Sequence, residues 1–345
     1  MKKLLPYLLM LAILAIGKSS TAQQDINFSQ FYELPLLRNP ALAGIFSGNI
    51  RVTSAYRNQW ESVTTPYRSM AIGTEIKVFK GLSEGDFFTV GLQVTNDIAG
   101  DSKLKRTQYL PAINYHKLLN EEHHTLLSAG FMGGAVSQSF DPTDLKFDDQ
   151  FVGGSYSSSN ITGQTFNKTS FTYYDLSAGL CLSSYINENA KFYVGAGLFH
   201  VNKPSLTFMQ NSTITLNKKY VFNGGVTITT NNNDKVVLYA DHFSQGANKL
   251  TQGGFLYTHS LDKTGDEEAL SISGGLIYRY KDAMIPTVKL NTSKLSMGFS
   301  YDTNVSTLKT ASNYRGGFEV TLSYLAFWKG EENEDVHTKC PANIW

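Results

Sequence analysis

The chain has 345 residues, with 30 Lys and Arg against 29 Asp and Glu, so its formal net charge is +1. Charged residues make up 17% and aromatic residues 12%, at a mean hydropathy of −0.21. The aromatic content excludes a disordered chain, the hydropathy excludes a bundle of membrane helices, and the near-zero charge argues against a nucleic-acid partner. The two cysteines, Cys181 and Cys340, are too few for a disulfide framework or a metal site made of cysteines alone.

The N-terminus has the features of a secretory signal peptide. Two lysines precede an apolar stretch over residues 4–16, and Ser20 and Ala22 supply the small residues of a cleavage site. The apolar stretch is too short to cross a bilayer comfortably. We therefore expect residues 1–22 to be removed and the mature chain to begin at Gln23 outside the cytoplasm, with a retained membrane anchor as the alternative.

From residue 49 onward, apolar residues alternate with small or polar ones, which is typical of strands whose two faces meet different surroundings. Many of these segments reach the 9 to 11 residues that a tilted strand needs to cross a bilayer. The pattern predicts about fourteen antiparallel strands, at residues 49–59, 68–79, 86–97, 103–117, 123–137, 171–185, 190–202, 217–230, 235–244, 248–260, 268–281, 284–290, 293–303 and 313–328.

The lengths of the predicted connections indicate a membrane barrel independently. Connections after even-numbered strands are mostly short turns, whereas long ones such as 138–170 and 203–216 follow odd-numbered strands. Outer-membrane barrels have short periplasmic turns and longer outer loops. The prediction is an all-β transmembrane barrel over residues 49–328 in the outer membrane. A secreted soluble β-sandwich is the alternative, because its half-buried strands alternate too.

Two segments lie outside the predicted barrel. Residues 23–48 contain aromatic and apolar side chains that need burial, so we expect a periplasmic plug or hatch tucked into the barrel lumen. Residues 329–345 form an acidic tail that we expect to be solvated in the periplasm.

Motifs for catalysis are not found: there is no nucleophile elbow, no zinc-protease motif and no phosphate-binding glycine loop. The adjacent residues Glu121, Glu122, His123 and His124 are interpreted as a solvated turn rather than a metal site, because neighbours on a turn point in different directions. We therefore predict a protein that is not an enzyme and needs no cofactor. Cys181 is expected to be a small interior residue.

Motifs near both ends of the mature chain carry a family resemblance. Residues 28–32 (FSQFY) are followed by residues 39–44 (NPALAG) and 56–60 (YRNQW), and residues 298–306 (GFSYDTNVS) are followed by 312–319 (SNYRGGFE). In this order they resemble the PorP/SprF family of type IX secretion system outer-membrane proteins from the Bacteroidota. The candidate site residues are Asn39, Pro40, Ala41, Gly44, Tyr56, Arg57, Asn58, Gln59 and Trp60 at the plug, and Tyr301, Asp302, Asn304, Ser306, Gly316, Gly317 and Glu319 in the C-terminal motif.

The resemblance implies a barrel that serves secretion and surface display and has no catalytic residues. The implied partners are a secreted adhesin or other cargo with a C-terminal sorting domain, and the ring and peptidoglycan-linked periplasmic lipoproteins of the type IX machine. We further hypothesise that Asn39-Pro40-Ala41 and residues 56–60 order the plug against the barrel wall.

Two other functions stay open at this point. An N-terminal hatch and about fourteen strands also resemble the FadL-type transporters of hydrophobic small molecules. A passive porin is the third possibility and requires an open polar lumen.

Overall fold

The computed structural model describes residues 25–61, 65–80, 83–166, 168–208, 214–230, 234–261, 270–307 and 309–328. The predicted signal peptide and the predicted acidic tail, with Cys340, lie outside these ranges. Within the ranges, no helix combines the length and the apolar character that crossing a membrane requires.

Fourteen antiparallel strands close into one barrel, which confirms the predicted fold class. A further pair of two-residue strands forms a separate hairpin in the connection after the fifth strand. In chain order the described strands are β1 (Ile50–Gln59), β2 (Tyr67–Lys80), β3 (Phe87–Ala99), β4 (Leu104–Asn120), β5 (Thr125–Ser139), β6 (Phe151–Val152), β7 (Ser155–Tyr156), β8 (Ser170–Asn187), β9 (Ala190–Phe199), β10 (Lys219–Thr229), β11 (Lys235–Gln245), β12 (Asn248–Ser260), β13 (Ser271–Arg279), β14 (Ala283–Asn291), β15 (Leu295–Asn304) and β16 (Arg315–Ala326).

The alternation in the sequence becomes two different faces of the barrel wall. On β14, the buried residues Thr287 and Lys289 alternate with the exposed residues Val288 and Leu290. Successive side chains of a strand point to opposite faces, and in a membrane barrel the outward face meets lipid. The polar residues of these strands therefore lie in the lumen and the apolar ones form the outer belt.

The barrel closes between its first and last strands, where Ile50 pairs with Ala326 and Gln59 with Gly317. Both ends of the strand sequence thus lie at one end of the barrel. The connections there are short, with residues 261–270 as the longest. We call this the short-turn end, and we call the opposite end, which carries residues 60–66, 140–169, 200–218 and 305–314, the long-loop end.

Residues 25–49, which we call the N-terminal segment, fold as three short helical turns at Phe31–Glu33, Pro35–Arg38 and Pro40–Leu42. Every residue from 28 to 47 except Leu37 is buried.

The apolar core of the protein lies between this segment and the inner wall. The Tyr32 ring stacks on Tyr239 of β11 with centroids 4.7 Å apart. Leu42 and Ile45 pack with Cys181 and Tyr193, so Cys181 is an interior residue as predicted. Burying such a side chain contributes roughly 1.5–3 kcal/mol, which holds the segment inside the lumen.

Candidate functional site

The start of the N-terminal segment is held by one buried carboxylate. The backbone N–H groups of Ser29 and Gln30 donate to the two oxygens of Glu319 over 2.6 and 2.7 Å. Glu319 lies on β16 and is fully buried. A buried carboxylate without partners is costly, and hydrogen bonds to a charged acceptor are among the strongest in proteins. Glu319, a residue of the predicted C-terminal motif, therefore fixes the segment against the barrel wall.

A second carboxylate, Asp302 on β15, lies beside the first. It accepts hydrogen bonds from Arg57 Nη2 at 2.7 Å, from Arg279 Nη1 at 3.0 Å and from Ser29 Oγ at 2.5 Å. Arg57 Nε also lies 3.9 Å from a carboxylate oxygen of Glu319. Two arginines thus balance two carboxylates where neither charge has access to water. We call Ser29, Arg57, Arg279, Asp302 and Glu319 the buried ion network.

The middle of the segment has its own ionic contact. Arg38 donates two hydrogen bonds to the carboxylate of Asp241 on β11, from Nε at 2.7 Å and from Nη2 at 2.5 Å. Nη2 also donates to the hydroxyl of Tyr193 at 2.8 Å. Burial disfavours the charged guanidinium, and the contacts with Asp241 and Tyr193 offset that cost. The bidentate geometry fixes the plane of the guanidinium and hence the position of this helical turn.

The Asn39-Pro40-Ala41 motif forms a tight turn against β4, β5 and β8. Asn39 accepts the backbone N–H of Ala41 at 2.9 Å and donates to the carbonyl of Leu180 at 3.1 Å. Asn114 donates to the carbonyl of Ala41 at 2.9 Å. A Cβ added at Gly130 would lie 2.5 Å from Pro40. That this motif orders the segment against the wall stays a hypothesis, and these contacts are the observations that support it.

Gly44 lets the chain leave this turn. Its φ is +85°, in the region that favours glycine, and an added Cβ would collide with Thr89 and His116. Its N–H donates to Glu75 at 2.8 Å, and Glu75 in turn pairs with Arg51 at 2.8 Å. Position 44 therefore requires glycine both because of its backbone conformation and because no space is left for a side chain.

Asp25, the first residue of the N-terminal segment, is anchored through its carboxylate. Its carboxylate lies 2.8 Å from Arg106 Nη1, 2.9 Å from His200 Nε2 and 3.4 Å from Lys219 Nζ. Burial favours the protonated acid, but these three cations outweigh it and hold the pKa of Asp25 well below its usual range. Burial also favours a neutral imidazole at His200, but Asp25 and Asp175 raise the pKa of His200 to about 9. The charged forms of both partners are therefore stable at neutral pH.

A cavity of about 620 Å³ opens over the N-terminal segment, and we call it the vestibule. Its wall residues include Gln59, Ala99 and Leu104, which end or begin their strands at the long-loop end. The N-terminal segment lines it with Phe28, Phe31, Leu34 and Leu37. Its charged lining consists of Arg57, Arg106, Lys219, Lys249 and Arg279 together with Asp25, Asp97 and Asp282. The vestibule therefore combines an apolar surface with charged groups, and four of its five cations already pair with carboxylates.

The remaining predicted site residues have other positions. Gln59 and Trp60 line the vestibule, where the Trp60 ring meets Tyr67 edge to face at 5.1 Å. Asn58 donates to Glu61 at 3.0 Å.

The remaining predicted aromatic residues lie on the outer surface, because outward positions alternate with the ion-network positions on β1 and β15. Tyr56 packs against Phe318, and Tyr301 is 36% exposed.

The remaining residues of the C-terminal motif shape the wall and a loop. Asn304 accepts the N–H of Ser306 at 2.9 Å and closes the loop after β15. Added Cβ atoms at Gly316 and Gly317 would collide with the backbone of Asp302 and Asn58, respectively. Neither pair reaches the vestibule, so the motif combines structural and lumen-facing residues.

The candidate site residues chosen from the sequence do not include several residues that the structure brings to the site, namely Asp25, Arg38, Arg106, His200, Lys219, Asp241 and Lys289. Lys289 on β14 pairs with Glu33 of the segment. A signal was present, because charge is scarce in this chain and a charged residue at a lumen-facing strand position must find a buried partner. The spacing of the charged residues along the sequence did not show which residue the partner is.

Comparison with solved structures finds other outer-membrane barrels at low similarity. CdiB from Acinetobacter baumannii matches with a TM-score of 0.41 and 10% identity over 80% of this chain and 60% of its own. The P. putida toluene transporter TodX matches with a TM-score of 0.43 and 9% identity over 83% and 92%. BamA from Haemophilus ducreyi, lacking POTRA domains 1–3, matches with a TM-score of 0.39 and 10% identity over 81% and 70%. The chain thus spans less than two thirds of CdiB, and the fold assignment rests on the strand pairing.

Comparison of sequences is more specific. No curated protein sequence matches the chain significantly. The family described as type IX secretion system membrane protein PorP/SprF matches residues 20–324, which include the N-terminal segment, the vestibule and the buried ion network. The chain therefore belongs to the PorP/SprF family of type IX secretion system membrane proteins.

Proposed function

We propose that this outer-membrane barrel docks a secreted adhesin or other cargo, through the cargo's C-terminal domain, at the long-loop end. The observation that carries the proposal is the position of the N-terminal segment. It fills the lumen beneath the vestibule, so the accessible surface for a partner is the vestibule and the long connections around it. A lumen occupied by the chain itself argues against a passive open porin, and it leaves the surface around the vestibule for a protein partner.

Exposed apolar side chains on the longest connection support this role. Phe151, Val152 and Ile161 in residues 140–169 are 59%, 61% and 95% exposed. Large exposed apolar residues grouped on one surface are typical of protein-interaction sites. We infer that this connection covers part of the cargo domain, with the long-loop end at the cell surface and the short-turn end toward the periplasmic lipoproteins of the machine.

The test is to replace residues 151–161 by a Gly-Ser linker of equal length. We expect the barrel to assemble and keep its heat-resistant folded form, while the adhesin is released into the medium instead of staying on the cell. A Gly-Ser replacement of residues 121–124, in the connection between β4 and β5 at the short-turn end, is the control and should retain the adhesin. Full surface retention by the 151–161 variant would contradict the docking proposal.

The second candidate is a transporter of hydrophobic small molecules, favoured by the apolar lining that Phe28, Phe31, Leu34 and Leu37 give to the vestibule. Uptake of a labelled aromatic hydrocarbon by cells with and without the barrel separates the two functions. Loss of uptake together with normal adhesin retention would support the transporter and overturn the docking role.

A further inference from the structure

The N-terminal segment has a direction that can be read from its contacts. At one end, Asp25 meets Arg106 near the start of β4, His200 directly after β9 and Lys219 at the start of β10. All three strand ends lie at the long-loop end of the barrel. Asp25 also receives support from β11, because its backbone N–H donates to the side chain of Gln245 at 3.2 Å.

The other end of the segment lies at the opposite end of the barrel. The N–H of Asn49 donates to the carbonyl of Ala326 at 2.9 Å, and the side chain of Asn49 accepts the N–H of Trp328 at 2.9 Å. Lys77, near the end of β2, donates to the carbonyl of Phe46 at 2.7 Å. Residues 25–49 therefore cross the whole lumen, from the long-loop end to the short-turn end, before β1 begins.

Between the two ends, the segment is tied to the wall on several sides. Glu319 and Asp302 hold it near Ser29, Asp241 holds Arg38, and Leu180 and Asn114 hold the turn that follows. These contacts fix the path of the segment through the lumen. The direction in which the chain runs at Asp25 is therefore determined by the fold.

From this path we infer that Arg106, His200 and Lys219 form a carboxylate site that anchors Asp25, and that the N-terminal segment enters the lumen through the vestibule at the long-loop end. In the orientation given under the proposed function, the long-loop end lies at the cell surface. The inference rests on the proposed function only for this choice of membrane side. It differs from the expectation of a plug that stays on the periplasmic side. The partner docked at the vestibule then meets Asp25 and the residues after it as part of the same surface.

The direction is tested by labelling cysteines in intact cells with a membrane-impermeant maleimide. The full chain with Cys340→Ser is the background, since Cys181 is buried in the lumen. Gln24→Cys reports the residue before Asp25, Ser158→Cys reports the long-loop end and Thr292→Cys the short-turn end. We expect the first two to react in intact cells and Thr292→Cys to react only after the outer membrane is opened.

The outcomes separate this inference from the proposed function. Labelling of Ser158→Cys but not of Gln24→Cys in intact cells overturns the inference and leaves the orientation intact. Labelling of Ser158→Cys only after permeabilisation overturns the orientation itself, and with it the surface position of Asp25.

The carboxylate site is tested by Asp25→Asn in the Gln24→Cys background. Loss of the charge that three cations hold should free the end of the segment, so we expect labelling about tenfold faster. Asp97→Asn is the matched control, because Asp97 also lines the vestibule but bonds to Ser69 rather than to the segment. An unchanged rate in Asp25→Asn, or an equal rise in both variants, would overturn the anchoring role.

Discussion

The outward and inward faces of the barrel wall place different constraints on their residues. Outward residues such as Ile72 and Leu92, 55% and 44% exposed, lie on the lipid-facing side and need chiefly to be apolar. Inward residues such as Arg57 and Asp302 depend on partners far away in the sequence, and the bond from Ser29 to Glu319 spans 290 positions. An outward position therefore tolerates any apolar side chain, whereas an inward position tolerates few changes.

The largest effect is expected when an inward charge loses its partner. Arg57→Ala leaves Asp302 and Glu319 short of a cation in a buried site, which should cost about 3–5 kcal/mol. The measurement is the temperature at which the folded barrel loses its heat-resistant form on a gel. Arg315→Ala, at an exposed position on the same barrel wall, is the control and should shift that temperature little. Equal shifts would mean that the buried ion network does not stabilise the barrel.

A charge on the outward face should cost less. Ile72 lies near the middle of β2, so Ile72→Arg is expected to destabilise by about 2–4 kcal/mol, whereas Leu295→Arg, at the start of β15 beside a turn, should cost about 0–1 kcal/mol. Denaturant unfolding in lipid vesicles measures both variants. Equal costs at the two positions would contradict the assignment of this face to lipid.

Crowding the contact between the wall and the N-terminal segment should have a moderate effect. Gly130→Ala places a methyl group 2.5 Å from Pro40, and overpacking of this kind costs about 1–3 kcal/mol. Gly274→Ala is the matched control in β13, since nothing lies within 4 Å of its added Cβ. The same thermal assay applies, and a larger loss in Gly274→Ala would show that the segment does not press on the wall.

The smallest effect is expected from pH at the anchor of Asp25. Because the folded pKa of His200 is raised to about 9 from 6.5, its contribution is complete below pH 6.5 and is lost as pH rises through about 9. The contribution of Asp25 is present above its ordinary pKa of 3.8 and is lost as pH falls through its lower folded value.

The measurement is the fluorescence anisotropy of a probe attached at Gln24→Cys, which should fall between pH 7 and pH 9.5. A second variant, His200→Gln, removes the titrating group and should flatten the curve. A fall of the same size in His200→Gln would assign the pH response to another group.

Much of the wall was predictable. The fourteen barrel strands follow from period-two alternation, and every predicted bound lies within three residues of the observed one. The differences occur where a strand continues its pairing beyond the predicted end, as at residues 118–120 of β4, or where pairing stops early, as after Phe199 of β9. At such ends hydrogen bonding to the neighbouring strand decides the boundary, and alternation carries no information about that neighbour.

The candidate site was predictable only in part. Arg57, Asp302 and Glu319 were singled out through motifs, and the structure joins them in one network. Asp25, Arg38 and Asp241 were not, because a single charged residue in a strand or a short apolar segment has no local feature that names its partner.

By itself, the sequence determined a membrane barrel with polar and apolar faces, since the side chains of a strand alternate whatever the strand pairs with. Tertiary structure alone decided which charges meet inside, and that residues 25–49 run from the long-loop end to the short-turn end. The reason is physical: lipid selects for apolar character at each outward position separately, whereas a buried charge is stable only beside a particular opposite charge.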